Sequence, residues 1–201
     1  MAEAFRCGEK ETQIVAARGI GKLNSQQKQK LCENGVCSLL VEMLDNQDYE
    51  SIEVALFALL SLACGSDRNK VCIEKSGAIP AILKILRCQN IALMEISLTA
   101  LLVLSTCSAN KLRIASSGAI QLILQFLDSR FTTICISTRA KLDIISTLHN
   151  LSTCPQMIST ILACGGLNTL NQLIYESEKS SDLVEKATGF WKQLFFDRKL
   201  P

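Results

Sequence analysis

The chain has 201 residues, 48% of them hydrophobic, enough for a continuous packed core in one large domain or two small ones. Lys and Arg (21) nearly balance Asp and Glu (19), and the formal charge of +2 is spread without a basic stripe, which leaves no electrostatic footprint for nucleic acid. The opening MAEAFRCGEKE has no apolar leader, and uncharged apolar stretches such as ISLTALLVLSTCSA at 96–109 fall short of the roughly 20 residues that cross a bilayer, so the sequence predicts a protein neither secreted nor membrane-inserted, in the cytoplasm with the nucleus also open to it.

In chain order, a leading helical segment occupies 9–24. Its end, GIGKLNSQ at 19–26, resembles a phosphate loop but lacks the spacing and follows no strand, so it is a helix terminus. Residues 52–63, IEVALFALLSLA, form an apolar helix. In SDRNKVCIEKS, Ser66 or Asp67 caps a short helix, Gly77 permits a sharp turn, and Pro80 suits the opening of a second helix carrying Ile82, Leu83, Ile85 and Leu86. RCQNIALME (87–95) breaks that helix, and ISLTALLVLSTC (96–107) forms a third, apolar on nearly every side as befits a helix sandwiched between layers. SANKLRIASSGAIQLILQFL (108–127) then echoes DRNKVCIEKSGAIPAILKIL (67–86). DSRFTTICISTRAK (128–141) adds about five residues as a loop on one face, with KLDIISTLHNLS (141–152) after it. The end, GFWKQLFFDRKLP, concentrates four of the ten aromatics, including the only tryptophan, Trp191.

Gly35, Gly77, Gly118 and Gly165 each precede the same kind of stretch (GVCSLLVEML, GAIPAILKIL, GAIQLILQFL, GGLNTLNQLI), at spacings of 42, 41 and 47 residues. A period of about 40–47 residues marks stacked helical units, each burying its apolar face only against its neighbours. Three helices per period, with a glycine between the first and second, and the signature N-K-x-x-I-x-x-x-G-A-I at 69–79 and 110–120 resemble the armadillo family, most nearly the armadillo region of plant U-box proteins. The resemblance implies an all-α, right-handed armadillo superhelix, an α-solenoid of four units (25–66, 67–108, 109–154, 155–196) behind a partial one (9–24), in a single domain over 1–201. Terminal repeats lack a neighbour, so the aromatic end predicts a cover over the last layer, or else a patch that docks a second copy.

In armadillo solenoids the third helices line a concave groove. Aligning on the family's A-x-x-x-L-x-N-L pattern puts Lys22, Ser61, Val103, Asn150 and Gln193 where the family often has Asn, and Arg18, Phe57, Thr99, Ser146 and Gly189 four residues earlier. Only Asn150 keeps the asparagine, and no Trp occupies the paired position, which argues against the Trp and Asn ladder by which nuclear import receptors grip a basic peptide. Arg18 and Lys22 predict an acidic ligand end near the amino terminus, with apolar and amide contacts further along. The partner is a protein or peptide. Nothing in the chain resembles the U-box pattern I-P-x-x-F-x-C-P-I, so the resemblance implies an adaptor or substrate-recognition role. A nuclear transport adaptor and an oligomerising scaffold are the remaining alternatives.

No GxSxG, P-loop or GxGxxG is present, and a single histidine leaves no catalytic constellation, so the chain reads as no enzyme and calls for no cofactor. The ten cysteines are scattered without a CxxC pair, and His149 has only Cys154 near it, which predicts no metal site and free thiols acting as small buried hydrophobes. His149 itself predicts a core or groove histidine satisfied by a backbone group.

Overall fold

The computed structural model describes residues 2–128, 134–177 and 182–197, and every regular element among them is an α-helix. The backbone divides into two compact units, Met1–Asn110 and Lys111–Pro201.

The first unit opens with α1 (Ala2–Arg6), a turn that the sequence pattern did not announce, held where the Gln13 side chain donates to the Phe5 carbonyl at 2.9 Å. α2 (Lys10–Ile20) follows, then two triplets: α3 (Ser25–Glu33), α4 (Val36–Met43) and α5 (Tyr49–Ala63), and α6 (Asp67–Lys75), α7 (Ala78–Ile85) and α8 (Ile91–Ser105). GIGKLNSQ is a helix terminus: α2 stops at Ile20, and Asn24 caps α3 by accepting from the Gln27 amide at 2.9 Å while the Gln27 side chain accepts from the Asn24 amide. Of the two candidate caps of α6, Ser66 performs the role, accepting from the Asn69 amide at 3.2 Å. α2 packs along α5, and α5 along α8, so the long helices form one layer of this unit, with Leu56, Leu62, Leu98 and Leu101 almost wholly buried.

One expectation is corrected here. The third helix of the second triplet begins at Ile91, not Ile96, because the Asn90 side chain accepts from the Leu93 amide at 3.1 Å and starts the helix five residues early. The break is thus confined to the few residues after α7.

α9 (Ser108–Ser116) carries the division between the units. The second unit continues with α10 (Ala119–Gln125), α11 (Thr138–Ser152), α12 (Pro155–Ala163), α13 (Gly166–Glu176) and α14 (Asp182–Asp197); α14 packs on α11 and α13. Of the loop read over 128–141, residues 129–133 lie outside the described residues. Its described flanks are less exposed than a surface insertion implies, since Asp128 and Ile136 are buried, and its last four residues are already helix behind the Ser137 cap.

The joints repeat closely. Gly35, Gly77, Gly118 and Gly165 each stand immediately before a second helix with φ between 79° and 88°, a left-handed backbone that only glycine adopts without strain. The Asn-Lys pair ahead of the Gly77 and Gly118 joints is also structural. Asn69 donates to the Leu62 carbonyl at 2.9 Å, closing the end of α5, and the Lys70 ammonium reaches the Thr106 hydroxyl at 2.8 Å and Asp67 at 2.8 Å. One period later, Asn110 donates to the Leu104 and Lys70 carbonyls within the first unit, while Lys111 reaches the Thr153 hydroxyl at 2.6 Å within the second. The bonds to the Leu62 and Leu104 carbonyls and to the Thr106 and Thr153 hydroxyls fall at the carboxyl ends of long helices, where the helix itself offers no donor. In the last period Met157 and Ile158 stand where the pair would be, and that tie is replaced by apolar packing.

All ten cysteines are free, but only Cys32, Cys37 and Cys107 are fully buried; Cys7, Cys64 and Cys135 are exposed, which corrects the reading of a uniformly buried set. The Cys37 thiol is pushed up by its hydrogen bond with Cys32 and by burial, so it holds its proton and packs as an apolar group.

Candidate functional site

α11 and α14 build a surface cavity. Ser137 starts α11 by accepting from the Ala140 amide, and the apolar stripe Ile144, Leu148 and Leu151 is buried, turning Ser146, His149 and Asn150 outward at i, i+3 and i+4. On α14, Lys186, Gly189, Phe190 and Gln193 follow at i, i+3, i+4 and i+7, one face of a helix. The two faces, with Ile145, enclose about 410 Å³. Phe190 is the floor, 3% exposed, and meets the His149 ring edge-on at a centroid distance of 6.0 Å. A Cβ added at Gly189 would meet no atom within 4 Å, so the cavity is open on this side. Among the described residues the lining holds an ammonium, an imidazole, two amides and a hydroxyl, and no carboxylate.

A second cavity, about 300 Å³, lies in the first unit, where Ala17, Arg18 and Gly21 face Glu53, Val54 and Phe57. Its charges are internally matched: an Arg18 guanidinium nitrogen is 2.6 Å from a Glu50 carboxylate oxygen, and Glu53 lines the same wall. Phe57 is 53% exposed on the rim.

Of the residues aligned on the family pattern, Ser146, Asn150 and Gln193, with Gly189, meet in the first cavity, and Arg18 and Phe57 in the second. Ser61, Thr99 and Val103 line neither; they sit half-buried on α5 and α8, and the Thr99 hydroxyl donates to the Glu95 carbonyl of its own helix. Lys22 is not on a helix at all. α2 ends two residues before it, because the leading helix is shorter than the long helices it was aligned with. His149, read as a core or groove residue, is exposed at the cavity rim. Lys186 and Phe190 escaped the alignment, although their i, i+4 spacing on the face of Gly189 and Gln193 was a signal that could have found them. Among the described residues no group of three His, Cys, Asp or Glu could hold a metal ion, and no helix is long and apolar enough to cross a membrane.

The backbone is similar to a designed armadillo repeat protein solved in complex with the peptide (KR)4, with a TM-score of 0.81 at 19% identity over 96% of this chain and 80% of that one. It is equally similar to a computationally designed armadillo repeat protein for modular peptide recognition, TM-score 0.81 at 19% identity over 100% of this chain and 88% of the other. The fold is that of an armadillo-repeat solenoid. A natural armadillo protein, the armadillo repeats only protein of Plasmodium falciparum, has a TM-score of 0.76 at 16% identity over 92% of this chain and 79% of that one.

In sequence, the armadillo chain is similar to U-box domain-containing protein 17 of Arabidopsis thaliana, 26% identical over 190 residues, and to U-box domain-containing protein 6 of the same plant, 29% identical over 157 residues. Both alignments take in 76% of this chain, which spans 26% and 19% of the length of these curated relatives. The likeness to plant U-box proteins and to armadillo repeats read from the sequence is thereby borne out. No family model matches the chain.

Proposed function

We propose that the chain is a non-catalytic protein-binding module that holds a segment of a partner protein against its long helices, with the cavity between α11 and α14 as the principal seat. The observation that carries this is the convergence of Ser146, Asn150, Gly189 and Gln193, all drawn from the armadillo groove pattern, around one apolar-floored opening. Two structural neighbours, one designed for modular peptide recognition and one solved in complex with a peptide, support the same use of the fold. Nuclear transport remains disfavoured, since Trp191 stacks on Phe195 at 5.1 Å and does not line the cavity.

The test is selection of a displayed random-peptide library on the chain, followed by Gly189→Phe and Ser146→Trp variants. Both fill the opening from positions that do not support the core, so peptide capture is expected to fall at least tenfold with the thermal midpoint retained. A library that yields no peptide, or peptides indifferent to both variants, removes this function.

The names and lengths of the Arabidopsis relatives support a second reading, a substrate-recognition part of a U-box-type ubiquitin ligase pathway. In a reconstituted ubiquitination assay the chain alone is then blank, and a U-box partner together with the bound protein restores transfer.

A further inference from the structure

The sequence placed an acidic-ligand preference at the amino-terminal end, on Arg18 and Lys22. In the structure Lys22 lies beyond the end of α2 and does not line the Arg18 cavity. Arg18 is taken up by Glu50 at 2.6 Å with Glu53 on the same wall, so a carboxylate arriving there would displace an existing pair and face a second carboxylate. In the cavity between α11 and α14, Lys186 is exposed, no carboxylate of the described residues pairs with it, and the rest of the polar rim offers the His149 ring and the Ser146 hydroxyl. Of the acidic residues on the two helices, Asp143 is buried and accepts from Arg139 at 3.2 Å on α11, Glu185 does not line the opening, and Asp182, one turn before Lys186 on the same face of α14, neither forms an ion pair with it nor lines the opening. Below the polar rim, Phe190 and Ile145 give an apolar floor.

We propose that this cavity recognises an acidic side chain of a bound protein segment, an aspartate or glutamate next to an apolar residue, with Lys186 meeting the carboxylate and the Phe190 and Ile145 floor taking the apolar neighbour. The proposal rests on the reading of the cavity as a peptide seat and adds the chemistry of its occupant. A single ammonium on a partly enclosed rim suits one carboxylate: its attraction strengthens where the low-dielectric wall excludes water, and a lysine or arginine at the same place would be repelled. The preference is opposite in sign to the basic (KR)4 peptide of the designed structural neighbour.

The same peptide library decides it. Enriched peptides are expected to share one Asp or Glu beside an apolar residue. A fluorescein-labelled peptide of that sequence, followed by anisotropy, should bind at least tenfold more weakly when its acidic residue becomes the amide, and to a similar degree with Lys186→Glu. Combining both changes should cost little more than either alone, and Lys192→Glu, which alters net charge equally on the exposed part of α14 away from the lining, should leave affinity within about twofold. Enriched peptides that lack an acidic residue yet lose binding with Gly189→Phe overturn this inference and leave the peptide seat standing. An acidic peptide indifferent to Lys186→Glu, or no more affected by it than by Lys192→Glu, overturns it as well. A library that yields nothing overturns the seat and the inference together.

Discussion

The two compact units use the same three-helix grammar and reach different surfaces. In the amino-terminal unit three cations have carboxylate partners: Lys10 pairs with Asp48 at 2.9 Å, Arg18 with Glu50 at 2.6 Å, and Lys84 with Asp45 at 2.7 Å. In the carboxyl-terminal unit the ammonium of Lys186 stands at the rim of a cavity with no carboxylate among the described residues of its lining. Charge on a repeat therefore does not mark a site by itself; whether the fold brings a counter-charge to it does. The units also differ in how their repeats are tied. The first completes the Asn-Lys signature with side-chain bonds to the ends of its long helices, and the last period substitutes Met157 and Ile158.

The largest effect expected comes from emptying the two cores. Leu101 and Leu148 are wholly buried, one in each unit, and Leu101→Ala and Leu148→Ala should each cost about 2–5 kcal/mol in urea unfolding followed by circular dichroism. We propose that the chain unfolds as a single domain, so either variant should shift one common transition. Two transitions, each moved by only one variant, would break that proposal and sharpen the contrast between the units.

A smaller effect separates the joints. The residue after the left-handed glycine is Val36, Ala78 or Ala119 in three periods and Gly166 in the last, where an added Cβ would lie 2.7 Å from an Ile161 methyl carbon and 2.8 Å from the Ile161 carbonyl oxygen. Gly166→Ala, which matches two of the other joints in sequence, should nevertheless destabilise the chain by about 1–3 kcal/mol. A neutral or stabilising result in the same urea titration would mean that the last joint is built like the others.

The smallest effect is electrostatic. Asp48 caps α5, and the Lys10 ammonium, followed by the Ser51 amide and hydroxyl, holds its carboxyl below the usual carboxylate range. The unfolded chain takes up that proton more readily, so the contribution is present above the ordinary aspartate value near about pH 4 and fades as pH falls through the lower folded value. Asp48→Asn retains a capping side chain and loses the charge; its thermal midpoint should fall less steeply than that of the native chain below about pH 4. Parallel curves would show that the matched charges of the amino-terminal unit do not contribute to its acid response.

Much of the scaffold was legible because its signals are local. A glycine every 41–47 residues, a capping side chain and a run of helical periodicity act within one or two turns of chain, and their outcomes at Gly77, Ser66 and Ile82 match the pattern. Where two local signals compete, as in IALME, the cap at Asn90 prevailed, and the helix began earlier than composition suggested. The candidate site was legible only in part. Aligning the repeats found Ser146, Asn150 and Gln193, but misplaced Lys22 because alignment assumes equal helix lengths, and passed over Lys186 because it considered two positions per helix where a face has four.

By itself the sequence determined the glycine joints and the helical runs on either side of them, since each follows from residues close together along the chain. Tertiary structure alone decided which charges are neutralised and which polar side chains converge. Glu50 reaches Arg18 across 32 residues, Lys111 reaches Thr153 across 42, and Lys186 joins Asn150 only through the packing of α14 on α11. Electrostatic pairing and cavity formation depend on separations of a few ångströms in space, and repeat periodicity constrains those separations without specifying the side chains that meet.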